Sequence, residues 1–236
     1  MYGRNYSMKS RFKKSILLMI SCVLILSLTG CSNKLEKKYQ RYVKSLIAIN
    51  YLGATDDYIE ATGANKEDAD ALYQSNIELL ADNIMAYYSV TITDAPDMRQ
   101  GYLDLARNIY SKVNYKVSPA YQSGSVYLVD VTIYPISLFA QTSGEVTAYV
   151  EKFNSGVTNG DYNNYTLAEY ETEFSSGLLN ILNNGCINMT YGDPVTITVE
   201  IIVDGDTYYI SDRDFLKIDA AMIDASVPTS TEGDAE

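Results

Sequence analysis

The chain has 236 residues, with 18 Lys and Arg against 30 Asp and Glu, and neither His nor Trp. The missing histidine removes Ser-His-Asp and Cys-His machinery and the His-containing zinc sites, and with them the common wall peptidases, zinc proteases and lipases. A formal charge of −12 argues against nucleic acid and other polyanions as direct partners, and leaves divalent cations or a cationic partner.

Arg4, Lys9, Arg11, Lys13 and Lys14 precede an apolar run from Ser15 to Leu28, with no acid ahead of it. This is the charged entry and apolar centre of a secretory signal, and the run is shorter than the ~20 residues a bilayer-spanning helix needs. It exits through Leu28-Thr29-Gly30-Cys31, which resembles the lipobox of bacterial lipoproteins. That resemblance implies cleavage between Gly30 and Cys31, a diacylglycerol thioether on Cys31, and Cys31 as the first residue of a mature chain held at the extracytoplasmic face of the cell membrane. Two fatty chains meet the requirement of two signals for stable anchoring.

Removing residues 1–30 takes away the five positive charges just named and leaves −17. Cys22 goes with the leader and Cys31 is acylated, so Cys186 has no disulfide partner and reads as a small buried apolar residue. Residues 31–50 form a lipidated cysteine and a basic helical neck, with Lys34, Lys37, Lys38, Arg41 and Lys44 against Glu36. Anionic lipid would suit such a neck; the plainer reading is the solvated face of a first helix.

From Lys34 to about Tyr51, Tyr42, Leu46 and Ile49 recur at helical spacing, and Gly53 closes the run. Asn65 heads Lys66-Glu67-Asp68, acids suited to a helix start, and Tyr73, Ile77, Leu80, Ile84 and Tyr88 mark a long amphipathic helix. Asp94-Ala95-Pro96 breaks it. Met98, Tyr102, Leu105 and Ile109 trace a third stripe, so three helices precede any strand.

The period changes at Tyr115. Tyr115 and Val117, a turn over Pro119 to Gly124, and alternating Tyr127, Val129, Val131 and Ile133 predict a β-hairpin. Thr142-Ser143-Gly144-Glu145 has capping-box spacing and predicts a short helix to about Phe153, followed by a loop from Asn154 to Asn164. Thr166-Leu167-Ala168-Glu169 is a second such box, opening a helix through Tyr170, Phe174, Leu178 and Leu182. Alternating Val195 to Val203, with Asp204-Gly205 as a turn into Thr207 to Ile210, predicts a second hairpin. Ser211 then caps a last helix through Phe215, Ile218 and Met222, and residues 226–236 read as a disordered acidic tail.

The order predicts a single α+β domain over 51–225, with helices packed on an antiparallel sheet made of two β-hairpins. With its closing Tyr208-Tyr209-Ile210 strand, it resembles the cystatin-like or nuclear-transport-factor-2-like domains of small Gram-positive lipoproteins. That resemblance implies a cone-like body, used for binding more than for catalysis.

Two sets of residues stand out as candidate sites. Tyr87, Tyr162, Tyr165 and Tyr208 lie off the helical stripes or in loops, and a tyrosine presents an apolar ring with a polar tip suited to recognition. Tyr73, Tyr88, Tyr102 and Tyr170, on the stripes, read as core. Asp204, Asp206, Asp212 and Asp214 could offer oxygen ligands to calcium, although the spacing is not that of an EF-hand. A turn and a helix start explain them without a metal, and the same holds for Asp56, Asp57 and Glu60.

The leading functional expectation is a lipid-anchored, monomeric, non-catalytic domain that binds a ligand or a protein, with no cofactor beyond the diacylglycerol. An accessory subunit of a membrane transport or cell-wall complex is the alternative, and a glycosidase built on two carboxylates is third.

Overall fold

The computed structural model describes residues 32–224. The leader, the lipobox with Gly30 and Cys31, and the 226–236 tail lie outside them. Helix α1 (Ser32–Leu52) runs through the middle of the core, with Val43, Ile47 and Ile49 fully buried. Gly53, at φ +65°, turns the chain out of it, a backbone state that glycine enters without a Cβ clash.

Among the described residues four helices precede the first strand. Between the expected first and second helices, α2 (Thr55–Thr62) buries Tyr58 and Ala61 beside α1. Its eight residues are too short for a legible period, and Asp56 and Asp57 occupy its first turn, where the helix dipole favours acids. α3 (Lys66–Tyr87) starts as expected, with the Asn65 side chain accepting from the Asp68 N–H at 2.8 Å. α4 (Met98–Tyr110) packs antiparallel to α3, as Arg99 reaches Asp82 and Arg107 reaches Gln74.

Strands β1 (Asn114–Val117), β2 (Tyr121–Ser123) and β3 (Val126–Tyr134) form the first hairpin, and the expected turn proves to contain β2. Val117 stands opposite Val131 but Tyr121 opposite Leu128, so one extra residue bulges at Ser118 to Ala120. There the Asp130 N–H donates to the Ser118 hydroxyl at 3.0 Å, and the Ala120 N–H donates to the Glu36 carbonyl of α1. Pro119 has no N–H to leave unpaired.

β4 (Val195–Asp204) and β5 (Thr207–Tyr209) form the second hairpin, and β3 pairs with β4 from Tyr127↔Ile201 to Ile133↔Val195. The two expected hairpins are therefore one antiparallel sheet, as the α+β reading requires. Val129, Val131, Ile133, Val199 and Ile201 line the buried face under α1 and α7 (Asp212–Met222). The other face is polar: Thr132 bonds Thr196, and the Thr198 hydroxyl donates to Asp130 at 2.6 Å.

Between β3 and β4 the chain inserts a helical hairpin of α5 (Leu138–Asn159) and α6 (Leu167–Ile187). α5 is longer than expected at both ends. Thr142 is not a cap: it is buried one turn inside, and its hydroxyl donates to the Leu138 carbonyl at 2.8 Å. The expected loop from Asn154 is helical to Asn159, where Gly160 at φ +83° closes it with its N–H on the Gly156 and Val157 carbonyls. The Thr166–Glu169 box does form. The hairpin leaves from the β3 end that carries Tyr134, opposite the β2–β3 and β4–β5 turns, and packs chiefly on α4.

Candidate functional site: an aromatic tip on the helical hairpin

The four candidate tyrosines fall in three places. Tyr208 is in the core, 8 % exposed, edge-on to Tyr39 and Tyr42 at 5.3 and 5.1 Å. Its hydroxyl donates to the Ala61 carbonyl, and the Lys38 Nζ lies 4.3 Å over its ring. This placement corrects the surface reading. A strand residue is buried or exposed by what its sheet face meets, and here that is α1. Tyr87 ends α3 in a small half-open cluster with Tyr88 at 4.7 Å and Phe139 at 6.0 Å.

Tyr162 and Tyr165 do come together, at 5.2 Å and nearly perpendicular. They cap a larger assembly at the closed end of the α5–α6 hairpin. Phe153 of α5, 3 % exposed, is its centre: Tyr162 stacks on it at 4.7 Å, and Tyr170 and Phe174 of α6 meet it edge-on at 5.0 Å. Tyr149 closes the base, its hydroxyl donating to the Glu173 and Phe174 carbonyls at 2.9 and 3.1 Å. Edge-on and offset rings are the favoured aromatic geometries, each pair adding about 0.5–1.5 kcal/mol beyond its buried area.

The hairpin holds this shape because α6 carries glycines where α5 presses against it, and α4 carries one where it meets α6. A Cβ on Gly177 would collide with the Tyr149 ring, and one on Gly185 would stand 2.5 Å from Thr142 Cγ2. Gly101 of α4 approaches Leu179 in the same way. Ser175 donates to the buried Tyr102 hydroxyl at 3.0 Å. Buried Glu171 accepts the backbone N–H groups of Asp94 and Ala95, fastening α6 to the α3–α4 loop.

Around the aromatic centre, Val157, Tyr165 and Leu167 are 44 %, 44 % and 57 % exposed. The charge beside them is mostly negative, although exposed Lys152 stands next to Phe153 on α5. From Phe153 to Asp212 there is no Lys or Arg, whereas Asp161, Glu169 and Glu173 lie at the tip. Burial, and then the Glu173 charge, push the Tyr149 phenol up to about 12. The Tyr162 phenol is raised for the same reasons. Both therefore stay neutral, as hydrogen-bonding groups on an anionic, partly apolar knob. The sequence reading took Phe153, Tyr170 and Phe174 as stripe residues and missed Val157 and Leu167; the long basic-free run was the available signal.

The four aspartates do not gather. Asp204 and Asp206 flank the exposed Gly205 turn, and Asp212 lies in the first turn of α7. Asp214 is buried, with its backbone N–H on Ser211 and its carboxylate on Lys217 at 2.7 Å. Burial pushes its carboxyl up, but the Lys217 contact and the Glu200 and Ser211 hydrogen bonds hold it below the ordinary value. Among the described residues no group of three or more His, Cys, Asp or Glu is placed to hold a metal. The four aspartates therefore do not form one ligand set: Ser211 takes the Asp214 N–H at the start of α7, and Lys217 takes its carboxylate.

A shallow groove between β4 and α7 is floored by Val195, Ile197, Ala221 and Ile223 and flanked by Lys217 and Asp224. None of the candidate tyrosines lines it. Among the described residues no helix is long and apolar enough to cross a membrane.

No family model matches the chain, and no curated protein matches it. Among solved structures it is similar to ycdA, provisionally assigned as a lipoprotein, from Bacillus subtilis subsp. subtilis str. 168. The TM-score is 0.54 at 14 % identity, over 80 % of this chain and 57 % of that one. At that identity the likeness is one of fold, and the chain spans little more than half of that protein's length.

Proposed function

We propose that this protein is a lipid-anchored lipoprotein of the extracytoplasmic membrane face, and that its α+β body is a non-catalytic interaction domain presenting the α5–α6 tip to a protein partner. The Leu28-Thr29-Gly30-Cys31 segment supports the anchor, as does the provisional lipoprotein assignment of the structural neighbour. The observation that carries the interaction reading is the tip itself. Tyr165, Leu167 and Val157 stand exposed around the packed Phe153 cluster at the closed end of the hairpin. Small ligands favour concave sites, whereas exposed aromatic and apolar clusters are the usual anchors of protein contacts.

This shifts the weight from small-molecule binding toward a partner protein, and so toward the accessory-subunit form of the reading. A glycosidase seated in the β4–α7 groove would need a second carboxylate beside Asp224.

Two experiments test the proposal. Wild-type chain should enter the membrane fraction with a diacylglyceryl mass increment, and Cys31→Ala should abolish both processing and increment; equal processing of the variant would remove the anchor. A photo-crosslinking residue in place of exposed Asn164, beside Tyr165, should give in intact cells a discrete adduct that one at Gly124 does not. Identical patterns from the two positions would remove the tip.

A further inference from the structure

α1 carries a second surface of the opposite charge. Lys34, Lys37, Arg41 and Lys44 are exposed and spaced three, four and three residues apart, which on a 3.6-residue helix keeps them in one stripe about 15 Å long. Arg41 is bridged to Glu60 at 2.7 Å. Lys34, Lys37 and Lys44 have no carboxylate within ion-pair distance among the described residues. The other side of the same helix is the centre of the core, with Val43, Ile47 and Ile49 fully buried. α1 begins at Ser32, one residue past Cys31, so the helix wedged into the domain is also the one that meets the anchor.

We infer that α1 lies along the surface of an anionic bilayer, with Lys34, Lys37 and Lys44 against the headgroup phosphates, so that the domain rests on the membrane instead of standing off it. The inference depends on the proposed lipid on Cys31. Three features select a bilayer as the occupant. The stripe runs away from the attachment point, there is no spacer between Cys31 and Ser32, and the unpaired lysines are the sign that anionic lipid attracts. The same lipids would repel Asp204 and Asp206. Those residues turn the chain beside Tyr208, which packs on Tyr39 and Tyr42 of α1. That turn is therefore held away from the surface while the stripe is held down. The α5–α6 hairpin, which leaves the sheet at the end remote from this turn, stays accessible to a partner.

The test uses the full processed chain in vesicles of equimolar phosphatidylglycerol and phosphatidylcholine, and in phosphatidylcholine alone. A membrane-impermeant amine reagent is applied, and each lysine is read by mass spectrometry, with exposed Lys152 of α5 as the internal standard. At about fivefold attraction per basic residue, Lys37 and Lys44 should react at least about tenfold more slowly, relative to Lys152, in the anionic vesicles. One molar salt should abolish the difference. If the chain floats with both vesicles and Lys37 and Lys44 react equally in both, the membrane seat is wrong and the anchor stands. A chain that floats with neither overturns the anchor and the seat together.

Discussion

The Tyr51 hydroxyl donates a 2.8 Å hydrogen bond to Asp219, joining the end of α1 to α7. Tyr51 is 2 % exposed, and its ring stands edge-on to Tyr110 at 5.1 Å. Burial pushes the Asp219 carboxyl above its ordinary value, while the Tyr51 hydrogen bond works the other way. This contact closes the sheet's helical cover at the end from which the α5–α6 hairpin departs.

A carboxyl whose folded pKa is raised contributes stability that is fully present below its unfolded value of about 4 and is lost as pH rises through the folded value. Asp219→Asn removes that titration. In urea unfolding, the stability of wild type minus that of Asp219→Asn should therefore fall as pH rises above about 4. A constant difference would show that Asp219 titrates normally. Tyr51→Phe removes the hydrogen bond to the half-buried Asp219 acceptor and should cost about 0.5–1.5 kcal/mol.

Alanine is a better helix former than glycine by about 1 kcal/mol, yet Gly185→Ala should destabilise. Its Cβ would meet Thr142 and Leu138 at 2.5 and 2.7 Å, and overpacking of that kind costs about 1–3 kcal/mol. Gly101→Ala, facing Leu179 at 2.7 Å, should behave likewise. Gly144→Ala, with nothing near its Cβ, is the control, and thermal midpoints that rise in all three would contradict the close α5–α6 and α4–α6 contacts.

At the tip, the central and outer rings should separate stability from recognition. Phe153→Ala removes the buried ring on which Tyr162, Tyr170 and Phe174 pack and should cost about 3–5 kcal/mol. Leu167→Ala, at a side chain 57 % exposed, should change stability by less than about 0.5 kcal/mol, and Tyr165→Ala, which gives up the Tyr162 ring contact, by about 0.5–1.5 kcal/mol; both should still lose the partner adduct. Retention of that adduct in both variants would place recognition elsewhere.

Cys186 is buried, and burial pushes its thiol up to about 11. Thiolate is the reactive form, so Cys186 in the folded chain should be inert to a thiol reagent at pH 8 and react fully once the chain is unfolded. Rapid labelling of the folded state would mean that α6 opens locally around Leu182 and Cys186.

Much of this molecule can be read one segment at a time. The stripes of α1, α3, α4 and α6, the Asn65 and Ser211 caps, and the alternation of β3 and β4 are all local, because helix and strand periods and side-chain caps act within a few residues. The Thr166 and Thr142 boxes show where such reading stops. Their spacing is the same, but Thr166 begins a helix with Glu169 folded back onto its N–H at 2.8 Å, whereas Thr142 lies inside a helix already begun at Leu138 and is buried against Gly185. A capping box offers a start; the packing partner decides whether it is used. α2 escaped for a related reason, since eight residues held by α1 and α3 carry too little pattern of their own.

The candidate site divides along the same line. The sequence alone determined the unpartnered Cys186, the acidic balance, the basic stripe beside Cys31 and the tyrosine excess, all of which are properties of residue identity and near spacing. Only tertiary structure could decide that Tyr208 is core and Tyr165 surface, that four aspartates stay apart, and that Phe153 gathers rings from two helices into one tip. Those outcomes depend on contacts between segments distant in the chain, and burial is a property of the neighbours that arrive and not of the residue that receives them.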